Sequence, residues 1–218
     1  MKAYHENNTD SRKICFIVGA GDNYGINPVS GGGHIIIAAD GGLSYLRQQG
    51  LAPDFVVGDF DSFEGEIPEG AKILPSKKDI TDVWAAVELG MEKGFGTFVI
   101  YGGTGGRPDH TFANIQMLSY IACKGMQGFI IDEKNIFTVI RNDIITFGSS
   151  SAGFMSVFSL SDVSKGVTEK GLKYTLENAE LTNTFPLGVS NEFIGKDASV
   201  RVDDGILLVI YPRFVRHN

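Results

Sequence analysis

Three aspartates follow short apolar segments of the kind that form buried strands, and their spacing suits a metal ion. Asp40 follows residues 34–39, whereas Asp59 and Asp61 follow residues 55–57. Asp59 and Asp61 are two residues apart, so an extended backbone sends both carboxylates to the same face. Close carboxylates repel each other, and Mg²⁺, which prefers oxygen ligands, relieves that repulsion. The pattern indicates a metal–nucleotide site, with a solvated acidic turn as the alternative.

A second charged group, Lys78, Asp79 and Asp82, precedes a predicted helix. The apolar residues between 83 and 91 recur with helical spacing. Thr81 or Asp82 is well placed to cap that helix, and capping is the simpler interpretation of Asp82. The alternative is that all three side chains face the same crevice as the paired aspartates.

A glycine-rich loop at residues 102–106 follows another predicted strand and leads through Arg107 and Pro108 into a helix. Glycines allow a tight turn whose N–H groups form an anion nest. Proline suits the first turn of a helix, and a helix N-terminus favours phosphate. Arg107 adds a cationic fork. The alternative is a merely flexible loop, with Asp109 and His110 capping the helix.

The elements that must position these residues alternate between strand and helix in the first part of the chain. Residues 1–12 are expected to be a flexible tail. We predict an α/β domain over residues 13–141, with an open, mostly parallel, Rossmann-like sheet and helices. Ligands of such sheets lie beyond the carboxyl ends of the strands. The glycines at 19–25 do not match a dinucleotide fingerprint, so we predict only a flexible loop there.

From about Asn142, short β-rich runs alternate with turn signals and helical periodicity stops. This pattern predicts a smaller all-β domain of sandwich or barrel type over residues 142–218. Residues 202–206 are predicted to form a hairpin. Ser190 and Asn191 could hydrogen-bond a heterocycle, although such residues also occur as plain turn residues.

The composition excludes several classes of protein. The net charge of −7 argues against a general nucleic-acid binder, which needs clustered lysine and arginine. Cys15 and Cys123 indicate neither a disulfide framework nor a zinc site, which fits a cytoplasmic location. Residues 1–13 lack the apolar segment of a signal peptide, and no apolar run approaches the length of a membrane span.

Taken in order, five segments resemble the thiamine pyrophosphokinase family. They are ADGG at 39–42, GDFDS at 58–62, KDITD at 78–82, GGTGGRPDH at 102–110 and GLKYTLENAELTNTFPLGVSNEF at 171–193. The resemblance implies transfer of a pyrophosphoryl group from ATP to the hydroxyl of thiamine, giving thiamine diphosphate and AMP. It also implies an α/β domain for ATP, a β-sandwich domain for thiamine, and a homodimer with sites at the subunit interface.

The same resemblance suggests a role for each candidate residue. Mg²⁺ would be held by Asp59, Asp61 and Asp82, and Asp82 would also accept the proton of the thiamine hydroxyl. Residues expected to border ATP are Asp40, Gly41, Gly42, Lys78, Gly103, Thr104, Gly105, Arg107, Asp109 and His110. Ser190 and Asn191 would bind thiamine. Some relatives stack a tryptophan on thiamine; the only tryptophan here is Trp84, so Phe193 is the expected substitute.

Two rival functions remain open at this point. One is another Mg-ATP-dependent transferase that acts on a different alcohol. The other is a non-catalytic nucleotide sensor, in which the carboxylates bind metal without turnover.

Overall fold

The structure is a computed structural model that describes residues 13–27, 32–58, 72–73 and 79–213. Of the described residues, 43% lie in strands and 19% in helices. The helices are α1 (Gly42–Gln48), α2 (Asp82–Glu92) and α3 (Pro108–Cys123). The strands are β1 (Ile14–Val18), β2 (Ile35–Ala39), β3 (Phe55–Gly58), β4 (Lys72–Ile73), β5 (Thr97–Tyr101), β6 (Gln127–Ile131), β7 (Asn135–Arg141), β8 (Ile144–Phe147), β9 (Phe154–Ser159), β10 (Val163–Lys170), β11 (Leu176–Thr182), β12 (Gly188–Glu192), β13 (Ala198–Arg201) and β14 (Ile206–Pro212).

The chain divides into two compact units, of which the first contains Asp10–Met117 and Met126–Glu133. Its strands pair in parallel in the order β6-β5-β1-β2-β3-β4. All five residues of β1 and of β5 are buried. Continuous apolar runs of this kind are expected for strands covered on both faces. The loops that follow these strands therefore begin at the edge of a well-buried parallel sheet.

Two helices of this unit begin at signals that the sequence carries. Thr81 caps α2 by accepting a hydrogen bond from the Trp84 backbone N–H at 3.2 Å. Helix α3 begins at Pro108, directly after the glycine loop. No helix within the described ranges is long and apolar enough to cross a membrane.

Of the described residues, the second unit contains Leu118–Gly125 and residues 134–213. Its strands form antiparallel pairs in two groups, β12-β9-β14-β7 and β11-β10-β13-β8. The Phe147 ring packs edge-on against Phe193 and Tyr211, with ring centroids 5.2 and 5.1 Å apart. These aromatic side chains are buried and fill the core of the unit.

The fold class predicted from the sequence is wrong. A Rossmann-like α/β domain followed by a smaller all-β domain was expected, whereas the described residues are mostly β, with both parallel and antiparallel strand pairs. Strand β7 was assigned to the α/β sheet, yet it pairs antiparallel with β14 through all seven of its residues, from Asn135 to Arg141. This pairing joins segments far apart in sequence, which local periodicity does not detect. The domain boundary at 141/142 stays a prediction.

The predicted hairpin at 202–206 is also wrong. Strand β13 pairs with β10 and β8, whereas β14 pairs with β7 and β9, so the turn connects strands of different sheets. Lys165 holds this turn, because its N–H donates to Asp204 O at 2.7 Å and its carbonyl accepts from Asp203 N at 3.1 Å. The turn residues were recognised correctly, but the pairing depends on distant residues.

Candidate active site

A cavity of about 720 Å³ lies in the first unit and is lined by the loops that follow its strands. This volume is within the usual range for small-molecule sites. The lining residues are Ala20, Gly21, Asp22, Ala39, Asp40, Asp79, Ile80, Thr81, Asp82, Val83, Gly102, Gly103, Thr104, Gly105, Gly106, Arg107, His110 and Asn114. The location agrees with the expectation that ligands lie beyond the carboxyl ends of parallel strands.

Two glycine loops meet backbone to backbone in the wall of this cavity. Gly21 N donates to Gly102 O at 2.9 Å, and Asp22 N donates to Thr104 O at 2.9 Å. A Cβ at Gly21 would overlap both carbonyl oxygens, so only glycine permits the approach. The sequence analysis predicted only a flexible loop at residues 19–25, although a glycine directly after a buried strand was the available signal. Ala20, Gly21 and Asp22 therefore belong to the site as residues that sequence reasoning missed.

The loop at 102–106 is fixed by buried polar side chains. Asn114, which is 5% exposed, donates its side-chain N–H to Gly103 O at 2.8 Å. Thr104 donates its hydroxyl to Asp132 Oδ1 at 2.9 Å. Gly105 and Gly106 have φ angles of +82° and +59°, which side-chain-bearing residues rarely adopt. A loop fixed in this way can hold an anion with little reorganisation.

Arg107 and Asp109 form an exposed ion pair at the start of α3. Arg107 Nε lies 3.2 Å from Asp109 Oδ1, and Nη2 lies 2.5 Å from Oδ2. The pair raises the pKa of Arg107 and lowers the pKa of Asp109, chiefly through the side-chain hydrogen bonds. Arg107 and His110 line the cavity, whereas Asp109 does not.

Four carboxylates border the cavity: Asp22, Asp40, Asp79 and Asp82. Their oxygens are hard ligands of the kind that suit Mg²⁺. Within residues 13–58 and 79–213, as far as these are described, no three acidic, histidine or cysteine side chains are grouped closely enough to hold a metal ion. The donors are of the chemical type that suits Mg²⁺, but those among the described residues are not gathered into a metal site. The predicted ligand set of Asp59, Asp61 and Asp82 stays a prediction, because Asp59 and Asp61 lie outside the described residues.

Three of the predicted residues, Asp59, Asp61 and Lys78, lie outside the described residues. Gly41 and Gly42 are described but do not line the cavity. A Cβ at Gly42 would overlap the carbonyl oxygen of Val18, so this glycine lets α1 approach β1 closely. In the structure, Gly42 therefore serves the packing of α1 against β1.

In the second unit, Ser190 is exposed and Asn191 is buried. Ser190 is exposed, has a φ of +61°, and donates its N–H to Ser156 Oγ at 3.1 Å. Asn191 is 5% exposed, and its Nδ2 donates to Glu169 Oε2 and to Tyr174 O, both at 2.6 Å. Both N–H bonds of this amide are therefore used within the chain.

The aromatic side chains that could stack on a ligand differ in exposure. Phe193, the stacking residue expected from the sequence, is 6% exposed and packs against Phe147. Trp84 lies in α2 of the first unit and donates its indole N–H to Glu88 at 3.2 Å. Tyr174 is 63% exposed, and its backbone is hydrogen-bonded to Asn191. Tyr174 was not among the residues predicted from the sequence, because exposure of an aromatic ring leaves no mark in the pattern.

Comparison with known families matches both halves of the chain. Residues 31–130 match the model described as "Thiamin pyrophosphokinase, catalytic domain". Residues 145–207 match "Thiamin pyrophosphokinase, vitamin B1 binding domain". The two matches together cover more than half of the chain.

Individual relatives agree with these matches. The chain is 32% identical over 184 residues to a thiamine pyrophosphokinase of Bacillus subtilis, which covers 80% of this chain and 85% of the relative. A crystal structure of thiamine pyrophosphokinase from Bacillus subtilis superposes with a TM-score of 0.84 and 26% identity, over 93% of this chain and 100% of the other. A crystal structure of the enzyme from Geobacillus thermodenitrificans gives a TM-score of 0.79 and 27% identity, over 93% and 99% of the two chains.

Proposed function

Because the chain belongs to the thiamin pyrophosphokinase family, we propose how its residues carry out ATP-dependent transfer of a pyrophosphoryl group to thiamine. The protein is an enzyme, a thiamine diphosphokinase. The reaction gives thiamine diphosphate and AMP. The observation that carries the proposal is the cavity in which a glycine loop, Arg107 and several carboxylates converge.

ATP binds in this cavity with its phosphates against the loop at 102–106. The N–H groups of Gly103, Thr104 and Gly105 serve as phosphate ligands, and Arg107 supplies a cationic fork to the same oxygens. His110 and Asp40 border the nucleotide from the cavity wall. Asp109 acts through Arg107, whose guanidinium it orients. Gly41 and Gly42 shape the wall by allowing close packing, and Lys78 offsets charge on the leaving phosphate.

Mg²⁺ is the metal we assign to the carboxylates. Asp82 borders the cavity, and Asp59 and Asp61 complete the ligand set in this proposal. When bound, the ion would neutralise the phosphate tail. Asp82 accepts the proton of the thiamine hydroxyl. Positioning matters more than base strength here, because attack on phosphorus passes through a loose transition state.

Thiamine binds to the second unit at Ser190 and Tyr174. Ser190 is exposed and hydrogen-bonds one edge of the heterocycle, whereas Asn191 contributes by holding Tyr174 in place. The exposed Tyr174 ring stacks on thiamine. Thiamine is a cation, and the face of an aromatic ring attracts cations.

The active enzyme is a homodimer with its sites at the subunit interface. Supporting this proposal, β12 lies at the edge of its sheet and is accompanied by exposed apolar side chains. They are Phe185, Leu187, Val189 and Ile194. An unpaired strand edge with apolar neighbours favours association with a second copy. We place the enzyme in the cytoplasm, with thiamine and ATP as its small-molecule partners.

The test is to incubate the purified protein with Mg²⁺, ATP and thiamine and to identify all products. AMP and thiamine diphosphate in equal amounts are expected. ADP with thiamine monophosphate would indicate ordinary phosphoryl transfer and would contradict the proposal. Nucleotide binding without turnover would indicate a sensor.

A further inference from the structure

A glutamate in the second unit, Glu169, is buried where an apolar residue is expected. Its side chain lies in β10 and is 1% exposed. It lies opposite Leu176 of β11 and Val200 of β13, both apolar. Burying a carboxyl group is costly unless the group is hydrogen-bonded. A specific contact is therefore required for Glu169 to be tolerated in this core.

That contact is with Asn191. Glu169 Oε2 accepts a hydrogen bond from Asn191 Nδ2 at 2.6 Å. The other oxygen, Oε1, is buried and has no hydrogen-bond partner among the described residues. Burial raises the pKa of Glu169, and the opposing effect of the Asn191 hydrogen bond is smaller. Among the described residues, the Glu169 side chain thus makes one hydrogen bond. Its partner, Asn191, is adjacent to Ser190 of the proposed thiamine site.

Asn191 in turn binds the backbone of Tyr174 from both sides. Its Nδ2 donates to Tyr174 O at 2.6 Å, and its Oδ1 accepts from Tyr174 N at 3.0 Å. The neighbouring Lys173 N–H donates to Glu192 O at 3.0 Å, which reinforces the same connection. An asparagine amide has two N–H bonds, so Glu169 and Tyr174 together use both.

We propose that Glu169 is a positioning residue for thiamine, which fixes the amide of Asn191 and so holds the Tyr174 backbone and ring in place. This inference rests on the proposed function, because it takes Tyr174 as part of the thiamine site. Without Glu169, one N–H of Asn191 is left buried and unpaired, and rotation of the amide to find another partner breaks both bonds to Tyr174. The exposed ring then loses its fixed orientation.

The test compares Glu169→Leu, which removes the acceptor but fills the space, with Glu169→Gln, which keeps an acceptor oxygen. We expect Glu169→Leu to raise the KM for thiamine about tenfold while the KM for ATP changes less than about twofold. Glu169→Gln should restore the KM for thiamine to near the unsubstituted value. Ser164→Ala is the matched control, because Ser164 is equally buried in β10 but bonds Ser159 and Ile206 instead.

A double substitution shows whether Glu169 affects thiamine binding through Asn191 or independently of it. If Glu169 acts through Asn191, the pair Glu169→Leu with Asn191→Ala should raise the KM for thiamine no more than Asn191→Ala alone. Effects that multiply would overturn the proposal. It would also be overturned if Glu169→Leu raised both KM values equally, or if Ser164→Ala gave the same selective loss.

Hydrogen exchange tests the connection in the unsubstituted protein, whether or not Glu169→Leu folds. The Tyr174 backbone N–H should exchange slowly, because Asn191 Oδ1 accepts it. Exchange as fast as that of an exposed loop amide would contradict the proposal. This result does not depend on catalysis, so failure of the positioning role is distinguishable from failure of the proposed function, which would appear as absent thiamine diphosphate.

Discussion

The guanidinium of Arg107 and the carboxylate of Asp109 face each other at two points, with Nε–Oδ1 and Nη2–Oδ2 distances of 3.2 and 2.5 Å. Both side chains are well exposed, at 70% and 62%. Water and salt weaken such exposed pairs, so phosphate oxygens can replace the carboxylate at modest cost. In the proposed mechanism, Asp109 therefore orients the guanidinium of Arg107 at the cavity before ATP binds.

We predict that Arg107→Lys lowers kcat/KM for ATP by about tenfold or more, because lysine cannot reproduce the two-point contact. The KM for thiamine should remain nearly constant. Steady-state kinetics with each substrate varied in turn measures both effects. Arg201→Lys is the control, since Arg201 also pairs with an aspartate two residues away, Asp203, at 2.7 Å but lies in the second unit. Equal losses in both variants would show that the effect is not specific to the site.

Asn114 supports the loop at 102–106 from within α3. Replacing it by alanine leaves the buried carbonyl of Gly103 without its donor and should cost about 1–3 kcal/mol of stability. We expect a lower melting temperature together with a higher KM for ATP, because the loop loses its fixed shape. Asn183→Ala removes an exposed hydrogen bond to Asp162 and serves as the control. A variant with a normal KM for ATP would mean that the loop holds its shape without Asn114.

Asp82 and Thr81 are neighbours with separable roles at the start of α2. Asp82→Asn should abolish activity while the melting temperature stays nearly unchanged, because an amide is a poor magnesium ligand and a poor base. Thr81→Ala removes the helix cap and should cost about 1 kcal/mol of stability, with turnover still measurable. Thermal unfolding and product formation are measured on both variants. A large stability loss in Asp82→Asn with residual activity would assign it a structural role.

Tyr174 is expected to affect thiamine binding selectively. Tyr174→Ala should raise the KM for thiamine by about tenfold, whereas Tyr174→Phe, which keeps the ring, should change it little. Calorimetric titration of thiamine into each variant checks the result without turnover. If removal of the ring left the affinity for thiamine unchanged, the stacking role would have to be abandoned.

The pH dependence of stability should report the buried carboxyl of Glu169. Burial raises its pKa above the usual value of 4.5, so as the pH rises the folded state keeps the proton longer than the unfolded state does. Its contribution to stability is fully present below about pH 4.5 and is lost as the pH rises through the folded-state pKa. Urea unfolding should therefore show that Glu169→Gln becomes more stable, relative to the unsubstituted protein, as the pH rises from about 5 to about 8. A pH-independent difference would mean that the pKa of Glu169 is not raised.

Local signals in the sequence predicted the individual elements of the first unit well. The apolar runs of β1 and β5, the cap at Thr81 and the start of α3 at Pro108 follow from short-range chemistry. The glycine loop and Arg107 were chosen as candidates because strand, glycines and helix start coincide in a few residues, and both line the cavity. Asp40, Asp82 and His110 all border the cavity that this reasoning anticipated.

What the sequence did not reveal depends on residues far apart in the chain. The fold class was wrong because β7 finds its antiparallel partner in β14, which no local pattern encodes. The contribution of Gly21 appears only through its hydrogen bond to Gly102. The buried contact between Glu169 and Asn191 joins residues that are 22 positions apart in the chain, and no local pattern predicts it.

The most direct test of the account follows ATP labelled at the α-phosphorus during incubation with Mg²⁺ and thiamine. Pyrophosphoryl transfer requires attack at the β-phosphorus, so the label should appear in AMP, with one thiamine diphosphate formed for each AMP. Label in ADP, accompanied by thiamine monophosphate, would contradict the account.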